Sequence, residues 1–92
     1  MNRVEKNELV AAQFNELTFR ASRVGTTIKR QDLAKHLSID GSFVTLWIRG
    51  KRLFDDEKID KTIEFMSAYD RLVNKKEMVS KLRDLANYLE TI

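Results

Sequence analysis

The stretch from residue 30 to residue 52, RQDLAKHLSIDGSFVTLWIRGKR, constrains the fold more than any other part of the chain. Its first half places three apolar residues on one face of a short helix, namely Leu33, Ala34 and Leu37. Its second half places Val44 and Trp47 on the inner face of another short helix, which Gly50 ends. The spacing predicts two short helices joined by a tight turn at residues 38–39, with Trp47 as a core anchor.

The rest of the chain also has the composition of a helical protein. Proline is absent, there are three glycines, and no segment alternates apolar and polar residues as a strand does. A first helix is predicted from about Val4 to Val24, with Gly25 at its C-terminal cap. Its apolar face comprises Val10, Phe14, Leu17, Ala21 and Val24. The sequence therefore predicts an all-α protein.

The hydrophobic pattern after residue 55 changes phase. One stripe consists of Ile59, Ile63, Met66 and Val73, and a second, one residue out of register, consists of Met78, Leu82, Leu85, Leu89 and Ile92. The change predicts a turn or kink near residues 74–76, which gives helices at about 55–74 and 76–92. Asp55 is expected to cap the first of these. We therefore expect a single domain over residues 1–92, made of five helices.

Positive charge is concentrated in the half of the chain that carries the two short helices. Residues 1–52 contain ten Lys or Arg and five acidic residues, and residues 53–92 contain seven and nine. The net charges of the two parts are therefore +5 and −2. A basic surface around the short helices suits the binding of phosphate groups.

Residues 33–52 resemble the helix-turn-helix motif of the lambda-repressor-like (Cro/C1, Xre-type) family. That motif reads roughly Leu-Ala-x-x-Leu-Gly-Val-Ser-x-x-x-Val-Ser-x-Trp-x-x-Gly-Lys-Arg. The matching residues here are Leu33, Ala34, Leu37, Val44, Trp47, Gly50, Lys51 and Arg52. The resemblance implies a compact five-helix lambda-repressor-like domain, with the helix-turn-helix as helices 2 and 3. It also implies that the third helix enters the major groove of double-stranded DNA.

Carried over position by position, the family's DNA contacts fall into two groups. The base-facing positions on the third helix are Gly41, Ser42, Phe43, Thr45 and Leu46. The phosphate-contacting positions are Arg30, Gln31, Arg49, Lys51 and Arg52. The base-facing set has no Arg, Asn or Gln to make paired hydrogen bonds to a base, although Phe43 and Leu46 suit thymine methyl groups. We therefore expect modest direct readout, with affinity that depends on phosphate contacts and DNA shape.

Two residues at the turn are informative. Ser38 stands where the family has a glycine, and a left-handed backbone at this position costs on the order of 1 kcal/mol for a residue with a side chain. Asp40 is expected to cap the third helix, since its carboxylate accepts hydrogen bonds from the amides of the first turn.

The second C-terminal stripe has two interpretations. We expect Met78, Leu82, Leu85, Leu89 and Ile92 to form the seam of a homodimer. The alternative is that they pack on the first and fourth helices of their own chain. A dimer would place two third helices on half-sites about one turn of DNA apart.

The sequence therefore predicts a sequence-preferring, DNA-binding transcriptional regulator, such as a small repressor. By resemblance to small members of the family, we expect it to come from a phage, a plasmid or another mobile element. One alternative is a DNA-binding accessory factor in recombination, replication or transfer. Another is an antirepressor-like module that binds a protein partner, because Phe43 and Leu46 are apolar. A third is a helical hairpin that serves only to build a core.

Catalysis and metal binding are not predicted, and no cofactor is expected. Cysteine is absent and His36 is the single histidine, so a zinc site is not expected. The acidic run at residues 55–57 fits a helix N-terminus, where carboxylates interact favourably with the helix dipole. No apolar run suits a membrane span or a signal peptide, so we expect a cytoplasmic protein.

Overall fold

The computed structural model describes residues 1–91, and this range contains four α-helices. They are α1 (Arg3–Arg23), α2 (Arg30–Leu37), α3 (Gly41–Ile48) and α4 (Asp56–Thr91). The described part of the chain has no strand, so the prediction of an all-α fold is confirmed. Among residues 1–91, every helix is too short or too polar to cross a lipid bilayer.

Local signals in the sequence define where α1 begins and ends. The Asn2 side chain accepts a hydrogen bond from the Glu5 amide at 2.9 Å and caps the N-terminus. Gly25 follows the last turn with a φ of +76°, a conformation that glycine adopts without a steric penalty. The buried apolar face of the helix comprises Val10, Ala11, Phe14, Leu17 and Ala21.

The core lies between α1, α2, the inner face of α3 and the first half of α4, with α3 packed against α1 and α2 and α4 packed against α1 and α2. Phe54, in the loop before α4, stacks on Trp47 with ring centroids 4.4 Å apart. The Phe14 ring meets Trp47 edge-on, with 6.2 Å between centroids. Ile28, between α1 and α2, is also buried in this cluster. Aromatic contacts of this kind add to the hydrophobic stabilisation from burial.

The predicted break near residues 74–76 is wrong, because α4 is one continuous helix of 36 residues. The chain has no glycine or proline after Gly50 that would end a helix. Hydrogen bonds also cross the predicted break. Arg20 of α1 donates to Asp70 and Glu77, which lie on either side of it. Within residues 1–91, the separate helices expected at about 55–74 and 76–92 are therefore a single element, and this range has four helices rather than five.

The C-terminal part of α4 extends beyond the rest of the molecule. Every residue from 78 to 91 is exposed, and we call this segment the overhang. Its apolar stripe does not pack on the protein's own core. Met78, Leu82, Leu85 and Leu89 are 64%, 59%, 53% and 61% exposed. The fifth residue of the predicted seam, Ile92, lies outside the described residues.

Candidate nucleic-acid interface

The turn between α2 and α3 is formed by a residue in the left-handed conformation. Ser38 has φ 57° and ψ 43°, as its place in the motif predicted. The next amide, that of Ile39, donates to the Ala34 carbonyl at 3.0 Å and closes the end of α2. Only residues 38–40 separate the two helices, so α3 lies directly against α2.

Asp40 begins α3 as the sequence predicted. Its carboxylate accepts a hydrogen bond from the Ser42 amide at 2.9 Å. This bond lowers the pKa of Asp40 below its ordinary value, because it stabilises the ionised form. The cap satisfies one of the free amides in the first helical turn and fixes the direction in which α3 leaves the turn.

The inner face of α3 is anchored in the core. Val44 and Trp47 are almost completely buried, which confirms Trp47 as a core anchor. The indole Nε1 of Trp47 donates to Asn7 Oδ1 at 2.8 Å. With these two side chains buried, the remaining face of α3 points away from the core.

Asn7 of α1 is a buried residue that supports this surface from inside, and the sequence did not predict its role. Its Oδ1 accepts from both Trp47 Nε1 and the Phe54 amide, each at 2.8 Å. Its Nδ2 donates to the carbonyls of Arg3 and Phe54, at 2.9 and 3.2 Å. One signal was available, since Asn7 lies on the apolar face of α1 in phase with Phe14, and a buried indole N–H requires an acceptor.

The outer face of α3 holds most of the predicted base-facing residues. Ser42 is exposed, and Gly41, Thr45 and Leu46 are half-buried. Phe43 lies differently, because its ring stacks on Phe54 with 5.7 Å between centroids and packs against the edge of the core. The side chains that α3 exposes on its outer face are therefore mainly those of Ser42, Thr45 and Leu46.

The first turn of α2 borders this outer face. Arg30 Nη1 lies 3.4 Å from Thr45 Oγ1 and donates to it. Gln31 lies beside Gly41, where an added Cβ would be 3.7 Å from Gln31 Cγ. The geometry thus places a guanidinium and a side-chain amide next to α3. These are the group types that make paired hydrogen bonds to guanine and adenine, and α3 itself lacks them.

The α2 N-terminus adds backbone donors to the same edge. Its cap residue, Lys29, makes no side-chain hydrogen bond to the first turn. Free amides at a helix N-terminus and the helix dipole both favour a bound phosphate. Lys29 and Arg30 supply positive charge at this point.

The residues after α3 form a rigid turn with exposed basic side chains. Gly50 has a φ of +75°, and its amide donates to the Trp47 carbonyl at 3.0 Å. The Lys51 amide donates to the Leu46 carbonyl at 2.9 Å. Asn7 holds Phe54 at the other end of the loop. The side chains of Arg49, Lys51 and Arg52 remain exposed.

The cations around α2 and α3 have no carboxylate partner within ion-pair distance among residues 1–91. In the described range, the ion pairs involve Lys6, Arg20, Lys58 and Lys61, which lie on α1 and α4. None of these pairs includes Arg30, Arg49, Lys51 or Arg52. These residues therefore place unpaired positive charge at the two ends of the outer face of α3, and other unpaired cations of the same range lie on α1 and α4.

The structure places Arg30 and Gln31 beside the outer face of α3, and Arg49, Lys51 and Arg52 directly after Ile48. Phe43 instead packs against the edge of the core, and the predicted seam residues within the described range lie apart on the overhang. No protein-family model matches the chain, and it matches neither a curated protein nor a solved structure.

Proposed function

We propose that this protein binds double-stranded DNA with sequence preference and regulates transcription, as a small repressor does. The proposal rests on the way α3 is held in the fold. Its inner face is locked by Val44 and Trp47, and its outer face is open between two groups of unpaired cations. A helix held in this way is suited to enter a major groove while the flanking cations bind the phosphates.

The dimensions of α3 support this mode of binding. An α-helix with its side chains is about 10–12 Å in diameter and fits a major groove about 12 Å wide, and the eight residues of α3 are about 12 Å long. Arg49, Lys51 and Arg52 would bind phosphate beyond its C-terminus, and the first turn of α2 would do so near its N-terminus. These contacts supply salt-sensitive affinity and fix the position of the protein on the duplex.

Sequence preference would come from the border between the two helices. Thr45 makes a single hydrogen bond to a base edge, and Leu46 contacts a thymine methyl group. Arg30, already 3.4 Å from Thr45, reaches a guanine in the same groove. A protein bound in this way at a promoter blocks access by the polymerase, which is the simplest mechanism for a repressor.

The test measures DNA affinity as a function of salt for two matched double variants. Arg49→Gln with Arg52→Gln removes two side chains that are proposed to bind phosphate. Arg71→Gln with Arg83→Gln makes the same charge change on α4. We expect only the first pair to weaken binding, and the slope of log Kd against log salt to fall by about 0.9 for each phosphate that is no longer bound. Equal effects of the two pairs would show that net charge alone governs binding and would refute the proposed interface.

One observation favours a protein partner as the second candidate function. Leu46 is partly exposed on the outer face of α3 and does not pack against the buried core cluster. Selection from a random pool of DNA duplexes distinguishes the two functions. A recovered sequence motif that is lost in Leu46→Ala or Arg30→Ala supports DNA readout. Biological activity that survives Arg49→Gln with Arg52→Gln but is lost in Leu46→Glu supports the antirepressor-like function.

An accessory factor in recombination, replication or transfer would use the same surface for DNA. The location of the recovered motif separates this alternative from a regulator of transcription. A motif that overlaps promoters supports regulation, and a motif confined to an origin of replication or transfer, or to a recombination site, supports the accessory role.

A further inference from the structure

The apolar stripe of the overhang has the spacing of a coiled-coil seam. Met78, Leu82, Leu85 and Leu89 follow each other at steps of four, three and four residues, which are the steps between successive d and a positions of a heptad. We propose that this stripe pairs with the same stripe of a second copy of the chain, with the two helices antiparallel. The inference goes beyond the proposed function and does not depend on DNA binding.

The overhang has an apolar face that its own chain leaves uncovered. Its 14 residues contact no other element closely enough to bury any side chain. Four large apolar side chains that are each more than half exposed on one face of a helix form the kind of patch that marks an interaction surface.

A second copy fits the stripe because the stripe is complementary to itself. In an antiparallel pair centred between residues 83 and 84, Met78 lies against the partner's Leu89 and Leu82 lies against the partner's Leu85. Two-fold symmetry repeats both contacts, so the seam has four apolar layers. On one flank, Val79 lies beside the partner's Ala86, which extends the apolar surface.

Charge decides the orientation. The seam positions before Met78 in the same heptad register are Lys75, Arg71, Ala68 and Glu64, so three of these four positions are charged. A parallel pair would set each of these charged residues against its own copy, and like charges at facing positions are unfavourable. An antiparallel pair avoids this arrangement.

The first test is the mass of the full chain by sedimentation equilibrium over a range of concentrations. We expect twice the 10.8 kDa of one chain. Leu85→Glu places a charge in the seam and should raise the dimer Kd by about 100-fold or more. Asn87→Glu adds the same charge on the opposite side of the helix and should leave the Kd unchanged. A wild-type protein that stays monomeric, or equal effects of the two variants, would overturn the proposal.

The second test measures orientation and uses the absence of cysteine from the chain. A chain with Met78→Cys, mixed with a size-tagged chain with Leu89→Cys, should form a disulfide between the two. Leu89→Cys alone should not cross-link, because the two positions lie about 16 Å apart along the antiparallel pair. Efficient cross-linking of Leu89→Cys alone, without the mixed product, would refute the antiparallel arrangement. Circular dichroism of each variant checks that the fold is retained.

Discussion

Asn7 connects three parts of the chain that would otherwise be held only by apolar packing. Its amide bonds to the Trp47 indole on α3, to both backbone groups of Phe54, and to the Arg3 carbonyl on its own helix. The loop that carries Lys51 and Arg52 lies between Trp47 and Phe54. One buried side chain therefore holds both the inner face of α3 and the far end of the basic loop.

We expect Asn7→Leu to lower the free energy of unfolding by about 2 kcal/mol or more. The substitution leaves the Trp47 indole N–H and the Phe54 amide buried without an acceptor, and an unpaired buried donor costs about 1–3 kcal/mol. Urea denaturation measures the change. Asn15→Leu, on the exposed side of α1, is the matched control and should have little effect. A similar loss in both variants would contradict this role for Asn7.

Residues whose role depends on near neighbours were predictable, and those with distant partners were not. Ser38, Asp40 and Trp47 behave as their positions in the motif indicate, since a turn, a cap and an inner helix face are local features. Asn7 bonds to residues 40 and 47 positions further along the chain. Phe43 was placed on the outer face by the motif, but its ring position depends on Phe54, which lies outside the motif.

At the scale of elements, α4 explains why the sequence predicted one helix too many. A hydrophobic stripe marks the side of a helix that packs against another surface. The phase of the stripe changes where the helix leaves one packing surface and meets another. In the first stripe Ile59, Met66 and Val73 face the core of the same chain, whereas Ile63 is 41% exposed, and from Met78 the second stripe faces away from that core. Continuity of a helix depends instead on backbone propensity, and residues 74–76 contain no residue that breaks a helix.

Arg20 holds α4 at the point where it leaves the core. Its guanidinium donates to Asp70 at 3.1 Å and also to Asn74 and Glu77. The hydrogen bond from Arg20 lowers the pKa of Glu77 below its ordinary value of 4.5. The ionised form of Glu77 therefore stabilises the fold above that pH, and this stabilisation is lost as the pH falls through the lowered pKa.

We expect Glu77→Gln to be less stable than the wild type at neutral pH, with a difference that shrinks as the pH falls below 4.5. Urea denaturation at a series of pH values from neutral to acidic measures both parts of this prediction. Glu64→Gln on the outer side of α4 is the control, because no residue in the described range forms an ion pair with Glu64. A difference between wild type and Glu77→Gln that is constant with pH would contradict the role of the charge.

At the scale of the whole molecule, the length of α4 determines where two copies would place their DNA-binding surfaces. The chain measures 54 × 27 × 20 Å, and the 36 residues of α4 account for the long axis at 1.5 Å each. In the proposed antiparallel dimer, the two cores lie at opposite ends of the paired overhangs. The two copies of a residue in the middle of the packed part of α4, such as Met66, are then about 52 Å apart along the helix axis.

This separation changes the operator expected from the family pattern. One turn of DNA is about 34–36 Å, so we expect selected duplexes to carry inverted half-sites whose centres are more than one turn apart. Selection from a random duplex pool, followed by sequencing, gives the spacing. The Leu85→Glu variant should recover a single half-site, because it should bind as a monomer. Recovery of half-sites one turn apart would argue against the antiparallel dimer while leaving DNA binding intact.

In the proposed dimer, the overhang would set the distance between the two cores and is separate from the proposed DNA-binding surface. The core is complete at Val73, and nothing from residue 78 to residue 91 supports α2 or α3. Adding or removing seven residues there keeps the stripe on nearly the same face of the helix and moves each core by about 10 Å. In the proposed dimer, a change in the length of α4 would therefore change the distance between two target sites. The residues proposed to recognise those sites would stay the same.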